Sequence, residues 1–294
     1  MNFRFLNNKL LAITGAALLG FSMSVFAVDN ETSGTNYDDA ALGGGLWNGW
    51  SSFSNDSGIR SNRGGQAFDT EYLYYKYDAV NQNMSIGLQT GFDVVDGHQR
   101  ITYSNGHKHH FYGGDLALSF DGIAGINNSS SYEYAVDFGL ETRDWSGHHE
   151  GPNSTDNDGL VDVGSGTGVD NAGLYNVSQW NENTLNDASP FAMDVGMFEK
   201  GLTSNDSGSG WVDGEKSFFR TVTFNLAGIV NTALDFTVDA HWTMSCGNDQ
   251  INGNYNVAGY TPPNGVPEPS AFALFAIGSM GMGFVGFRRR KIKS

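Results

Sequence analysis

Apolar and polar residues alternate with a period of two along several segments of the chain, and this pattern predicts β-strands rather than helices. Segments 116–120, 132–140 and 235–245 alternate in this way. In the clearest of them, 235–245, one face carries only apolar side chains: Phe236, Val238, Ala240, Trp242 and Met244. Each segment is therefore predicted to form a strand with one face toward a core and the other toward solvent.

Further strands are expected at Glu71–Val80 and Met84–Val94, joined by a turn at 81–83, and at 218–230. No segment between residues 28 and 265 shows three turns of helical periodicity. Strands that recur between clusters of Gly, Asn, Asp and Ser predict an all-β fold, an antiparallel β-sandwich or jelly roll. A mixed α+β fold is the alternative.

The first 27 residues have the pattern of a secretory signal peptide. Arg4 and Lys9 provide a positive start, and a mostly apolar stretch runs to Phe26. The small residue Ala27 and the acidic stretch after it place signal cleavage after Ala27. An uncleaved anchor helix is the alternative, and in both cases the rest of the chain is exported.

The C-terminus has three parts in a fixed order. Val266, Pro267, Glu268 and Pro269 come first, then the uncharged run 271–287, then a basic tail at 288–293. The 17 residues of the run would extend roughly 26 Å as a helix, which is at the short end of what crosses a bilayer. The basic tail would stay on the cytoplasmic side.

This C-terminal order, from Val266 to Lys293, resembles the PEP-CTERM sorting signal of exopolysaccharide-producing Gram-negative bacteria. The resemblance implies recognition by an exosortase-type processing enzyme and transient anchoring in the inner membrane by the C-terminal helix. Delivery to the cell surface or extracellular matrix would follow. The chain is thus predicted to comprise a signal peptide (1–27), a passenger domain (28–265) with a long loop (146–173), and a sorting signal (266–294).

The charge of the chain argues against nucleic acid as a partner. The chain has 16 Lys plus Arg against 32 Asp plus Glu, and the passenger alone has 9 against 31, a net charge of −22. Binding to phosphates requires the opposite balance. A single cysteine, Cys246, cannot close an intramolecular disulfide; it follows the clearest strand, and we expect it to be buried there rather than nucleophilic.

The best metal candidate is the acidic stretch with Asp156, Asp158 and Asp162, which could wrap carboxylates around calcium. Its spacing fits the middle of an EF-hand loop. The ends of that loop do not fit, because Ser154 and Ser165 stand where acidic ligands are expected. A solvated turn-rich loop is the alternative.

Histidines cluster at His107, His109 and His110 and again at 148–149. Imidazoles at alternate strand positions point to one face and can hold zinc or copper. Because no third ligand is fixed by spacing and Asn105-Gly106 marks a turn, we expect a solvated loop instead.

Three tryptophans, Trp47, Trp50 and Trp145, lie in or beside loops and are candidates for stacking on sugar rings. Ordinary packing is the alternative for each. The segments 69–75, 84–92 and 113–118 distantly resemble strand patterns in exported β-sandwiches related to carbohydrate-binding modules.

The chain shows no nucleophile elbow and no nucleotide-binding glycine motif. We therefore expect a non-catalytic surface or extracellular-matrix protein that associates with exopolysaccharide or biofilm, with calcium as a candidate cofactor. A secreted carbohydrate-active hydrolase that uses a pair of carboxylates is the alternative.

Overall fold

The computed structural model describes residues 42–52, 54–56, 65–102, 104, 106–125, 128–145, 149–150, 171–186, 188–212 and 214–260. The signal peptide, the long loop and the sorting signal predicted above fall mainly or entirely outside these residues. The following account concerns the passenger domain.

The described residues form strands joined by turns and two short 3-10 segments, Gln66–Phe68 and Ser129–Ser131. The strands are β1 (Ser51–Ser52), β2 (Ser54–Asp56), β3 (Thr70–Asp78), β4 (Asn83–Thr90), β5 (His98–Thr102), β6 (Lys108–Tyr112), β7 (Leu116–Ser119), β8 (Tyr134–Asp137), β9 (His149–Glu150), β10 (Gly173–Asn181), β11 (Ala192–Gly201), β12 (Ser204–Val212), β13 (Glu215–Asn225), β14 (Phe236–Thr243) and β15 (Gln250–Val257). The predicted all-β class is confirmed.

Within the described part of the chain, these strands pair antiparallel in three sheets. The five-stranded sheet has the order β1-β3-β4-β13-β12, and the seven-stranded sheet has the order β11-β10-β8-β7-β14-β15-β2. A three-stranded sheet has the order β5-β6-β9. The predicted antiparallel pairing is therefore also confirmed.

One hydrophobic core is shared by the two larger sheets. The five-stranded sheet contributes Leu73, Ile86, Leu88, Val222 and Phe224, and the seven-stranded sheet contributes Leu116, Leu118, Val136, Val238 and Trp242. Each side chain in this list is at most 2% exposed. Alternate residues on the same strands therefore point away from this core, and they form the outer face of each sheet.

The β3–β4 hairpin forms where the sequence predicts it. The Asp78 carboxylate accepts hydrogen bonds from the backbone N–H groups of Val80 at 3.0 Å and Asn81 at 3.1 Å. Gln82 takes a positive φ of 56° in the turn. Local hydrogen bonding by an Asp side chain is a common way to close such a turn.

The apolar face of β14 lies in the core as predicted, and its polar face is accessible only at the start, where Asp235 is exposed and Thr237 is partly exposed. Asp239, His241, Thr243 and Ser245 are 0–6% exposed. Part of the cover comes from the segment between β10 and β11, where the Leu185 N–H donates to the Ser245 carbonyl at 3.2 Å. The prediction of a solvated polar face therefore holds at Asp235 and Thr237 and is wrong from Asp239 onward.

Candidate functional site

Five aromatic side chains gather on the outer face of the five-stranded sheet. We call this group the aromatic face; it comprises Trp47, Trp50, Tyr72, Tyr74 and Phe219. The Trp47 ring stacks on Tyr74, with centroids 4.1 Å apart and an interplanar angle of 17°. Trp50 and Phe219 meet the Trp47 ring edge-on at 5.5 and 6.2 Å, and Tyr72 stacks beside Tyr74 at 5.5 Å. These geometries are the favourable ones for aromatic pairs.

Two glycines clear the sheet surface for the loop that carries Trp47. A Cβ atom on Gly87 of β4 would lie 2.4 Å from the Trp47 ring. A Cβ atom on Gly210 of β12 would lie 2.6 Å from the Leu42 side chain. The absence of side chains at these positions lets the loop 42–50 pack directly on the backbone of the sheet.

Gln89 fixes the loop from below. Its side-chain Oε1 accepts hydrogen bonds from the Leu42 backbone N–H at 2.9 Å and from the Trp47 indole N–H at 2.8 Å. Its Nε2 donates to the Glu71 carboxylate. Gln89 is fully buried. These hydrogen bonds satisfy both polar atoms of its side-chain amide in the absence of water.

Glu71 is the buried centre of this network, 4% exposed. Its carboxylate also accepts hydrogen bonds from the Ser217 hydroxyl at 2.6 Å and from Gln66 Nε2 at 2.8 Å. Burial raises the pKa of Glu71, and these donors oppose the shift. Burial disfavours the charged form and the donors favour it.

The rings of the aromatic face differ in accessibility. Trp47 and Tyr74 are 9% and 6% exposed, whereas Trp50, Tyr72 and Phe219 are partly exposed. Trp47 and Tyr74 therefore act mainly as a packed support. The accessible ring area belongs to the other three side chains.

A row of hydroxyl groups lies on the same outer face. Thr223 Oγ1 accepts a hydrogen bond from Ser204 Oγ at 3.0 Å and forms another with Ser85 Oγ at 2.8 Å. Ser85, Thr223 and Ser204 are partly exposed and belong to the adjacent strands β4, β13 and β12. The face thus combines flat aromatic rings with hydroxyl groups.

The structure brings two of the three predicted tryptophans together and places the third elsewhere. Trp145 is partly buried against the core, and its ring stacks on Phe111 of β6 at 5.8 Å and 20°. Its role in glycan stacking stays a prediction, as do those of Trp47 and Trp50. Tyr72 and Tyr74 were not predicted; the alternation of β3, with Leu73 and Tyr75 in the core, was the signal that could have found them.

The predicted calcium ligands Asp156, Asp158 and Asp162 lie outside the described residues, so calcium binding there stays a prediction. Among the residues that are described, no three His, Cys, Asp or Glu side chains are arranged to hold a metal ion. Ala27 and the sorting motif Val266, Pro267, Glu268 and Pro269 are likewise outside the described part.

The expectation of a solvated histidine loop is wrong for His109 and His110. Both belong to strand β6, and His110 is 4% exposed. His110 Nδ1 shares a hydrogen bond of 2.8 Å with His98 Nε2 on β5. The apolar residues Phe111 and Tyr112 that follow hold this segment as a strand, because both are buried.

Cys246 is fully buried after β14, as predicted. Burial raises the pKa of its thiol to about 12. The thiolate is the nucleophilic form of cysteine, so this side chain is inert at neutral pH.

Comparison with known proteins gives a match at the C-terminus. Residues 265–291 match the model of the PEP-CTERM protein-sorting motif. The chain carries a PEP-CTERM sorting signal. This signal marks it as an exported, exosortase-sorted protein, in agreement with the resemblance drawn from the sequence. No curated protein and no solved structure matches the chain.

The described residues contain no helix of a length and apolarity sufficient to span a membrane. The predicted membrane helix, 271–287, lies outside them. Membrane anchoring by that helix is therefore a proposal that the sorting motif supports.

Proposed function

We propose that this PEP-CTERM protein is a non-catalytic component of the cell surface or extracellular matrix that associates with exopolysaccharide. After export it is held transiently in the inner membrane by the helix 271–287 and is then processed near the PEP motif. The core shared by the two larger sheets supports a β-sandwich as the fold of the processed passenger.

The aromatic face carries this proposal. Sugar rings present flat apolar faces that pack on aromatic side chains, and their hydroxyls need hydrogen-bonding partners nearby. Trp50 and Tyr72 offer partly exposed rings, and Ser85, Thr223 and Ser204 offer hydroxyls on the same outer face. A rigid support under the rings reduces the entropy lost on binding, and the buried contacts of Trp47 provide that support.

The test compares two variants of the exported protein in binding to the exopolysaccharide of its host. The double variant Trp50→Ala/Tyr72→Ala removes two of the three accessible rings and leaves Phe219, and Trp211→Ala is the matched control. Trp211 is 72% exposed at the end of β12 and is not part of the aromatic face. Affinity electrophoresis in gels that contain the polysaccharide measures the dissociation constant.

We expect the double variant to bind roughly tenfold more weakly or worse, because each ring contributes about 0.5–1.5 kcal/mol. Trp211→Ala should bind like the wild-type protein. Equal binding by the double variant would refute the aromatic face as the site. Release of reducing sugar ends by the wild-type protein would refute the non-catalytic role.

A further inference from the structure

A turn on the aromatic face contains an asparagine followed by a glycine. Asn48 and Gly49 lie between Trp47 and Trp50, and both are exposed. The Trp50 backbone N–H donates to the Trp47 carbonyl at 3.1 Å and closes the turn. Gly49 takes a positive φ of 77°, and a Cβ atom built on it would have no atom within 4 Å. The space around the Gly49 backbone is therefore open to solvent.

The fold does not hold the two reactive groups of this dipeptide. In the described part of the chain, neither the Asn48 side-chain amide nor the Gly49 backbone N–H takes part in a hydrogen bond. The amide lies over Gly45, since a Cβ atom on that glycine would be 2.8 Å from Asn48 Nδ2. Exposed side chains change rotamer within picoseconds to nanoseconds, so the Asn48 Cγ atom can approach the Gly49 nitrogen.

An asparagine amide and the next backbone nitrogen react without an enzyme. The Gly49 nitrogen loses its proton to a base of the solvent and attacks Asn48 Cγ. The new N–Cγ bond closes a succinimide ring, and the side-chain nitrogen takes up a proton and leaves as ammonia. Glycine leaves its nitrogen accessible, because it has no side chain, and the attack is intramolecular.

Water opens the succinimide ring in one of two ways. Addition of water at Cγ breaks the new N–Cγ bond and leaves aspartate. Addition at the backbone carbonyl breaks the original peptide bond to Gly49 and leaves isoaspartate, in which the main chain runs through Cβ and Cγ. Each product has a carboxyl group in place of the amide, and this group is ionised at neutral pH.

The same dipeptide also occurs in a strand, where the fold opposes the reaction. Asn252 and Gly253 belong to β15. Asn252 Oδ1 is hydrogen-bonded to His241 Nδ1 at 2.7 Å, and Gly253 lies between Ala240 of β14 and Ser54 of β2. Ring closure there would require the side chain to leave His241 and the backbone to leave the sheet. The chain therefore contains one held and one unheld copy of this reactive pair.

Either product changes the aromatic face. Aspartate places a negative charge between Trp47 and Trp50, in a passenger that already has 31 acidic residues against 9 basic ones. Isoaspartate also adds a methylene group to the backbone of the turn. The Trp50 ring is thereby displaced from its edge-on contact with Trp47, where the centroids are 5.5 Å apart.

We propose that Asn48 is a site of spontaneous deamidation, and that this modification inactivates the aromatic face of the exported protein with time. The modification follows from the exposure of the Asn48–Gly49 turn and from its lack of hydrogen bonds. Its effect on binding rests on the proposed association with polysaccharide. The reaction consumes water and releases ammonia, and it is faster at higher pH because the attacking nitrogen must lose a proton.

The test ages the exported protein in mildly acidic and mildly alkaline buffers and follows both dipeptides by mass spectrometry. Digestion in acid, where ring closure is slow, prevents the reaction during preparation. A deamidated peptide gains the mass of water and loses that of ammonia, and chromatography separates isoaspartate from aspartate. Asn48→Gln is the blocking variant, because it keeps the amide but its longer side chain closes the ring far more slowly. Asn252 is the internal control.

We expect aspartate and isoaspartate to accumulate at Asn48 but not at Asn252, and faster in the alkaline buffer. Affinity electrophoresis with the host exopolysaccharide then compares aged with fresh protein. Aged wild-type protein should bind roughly twofold to tenfold more weakly, the range that corresponds to the loss of one stacked ring. Asn48→Gln should keep both its amide and its affinity under the same treatment.

The masses and the affinities can each overturn part of the inference. If Asn48 stays unmodified, or changes no faster than Asn252, it is not the site. Modification of Asn48 without loss of affinity would overturn the effect on the aromatic face, as would an equal loss by aged Asn48→Gln. Absence of binding by fresh wild-type protein would refute the proposed function and the effect on binding together, whereas the modification site is decided by the masses alone.

Discussion

Single residues decide how the aromatic face is built. Trp47 packs against Tyr74 and the backbone at Gly87, with its indole N–H bound to Gln89. A ring in that position needs a residue without a side chain beneath it in the sheet. Gly87 takes no left-handed φ, so space, rather than backbone conformation, is the reason for glycine here.

Gly87→Ala should therefore expel the Trp47 ring from its place. The added Cβ would lie 2.4 Å from the ring, and overpacking of this kind costs about 1–3 kcal/mol. We expect a loss of that size in the free energy of unfolding, measured by urea titration, and a shift of tryptophan fluorescence toward solvent. Gly43→Ala, in the same loop with no atom within 4 Å of its new Cβ, should change neither; equal effects of both would contradict the packing argument.

Alternation along a strand predicted which side chains enter the core, and for β14 that prediction is correct at every apolar position from Phe236 to Met244. It did not predict that the opposite face is also covered from Asp239 onward. That cover comes from residues some fifty to sixty positions away in the chain, such as Leu185 against Ser245. Local sequence pattern reports only which face a residue is on.

At the candidate site too, local sequence pattern predicts some of the residues and not their tertiary contacts. Trp47 and Trp50 were predictable from their type and their glycine-rich loop. The support that Gln89 and Tyr74 give to the Trp47 ring was not predictable, because it depends on the register in which β3 pairs with β4. That register places Tyr74 opposite Gly87, and thus beside the Trp47 ring.

The network centred on Glu71 joins β3, β4, β13 and the loop 42–50, and its protonation should affect their stability together. Burial raises the pKa of Glu71 above its usual 4.5, so between 4.5 and that higher value the folded state binds more protons than the unfolded state. The stabilising effect of this proton is present below 4.5 and is lost as the pH rises through the folded-state pKa. We expect the contribution of Glu71 to the free energy of unfolding to fall as the pH rises over that window.

Urea titrations at a series of pH values measure this effect. Glu71→Gln should remove the part of the slope that belongs to Glu71, even if the variant is less stable at every pH because its amide meets the donors of Ser217 and Gln66. The control is Glu182→Gln, at an exposed position, which should keep the wild-type slope. A Glu71→Gln protein with an unchanged slope would show that Glu71 is not the titrating group.

At the scale of the whole molecule, the net charge of −16 combines an acidic passenger with two terminal segments that contain basic clusters. The C-terminal segment comprises three parts in the sequence: the motif 266–269, the apolar run and the basic tail. Matching of residues 265–291 to the sorting motif implies that the motif is read by the processing enzyme. The apolar run and basic tail would set the position in the membrane.

These roles predict different fates for two variants. Deletion of 266–294 removes motif and anchor together, and the protein should be found soluble in the periplasm. Replacement of Pro267, Glu268 and Pro269 by alanine keeps the anchor, so the protein should accumulate at full length in the inner membrane. Asn264→Ala, before the matched residues, is the control and should reach the surface at the size of the processed wild type. Fractionation with immunoblotting measures both location and size. Normal processing and display of the triple-alanine variant would refute recognition through the motif. Release of that same variant into the periplasm would refute the anchoring role of 271–287.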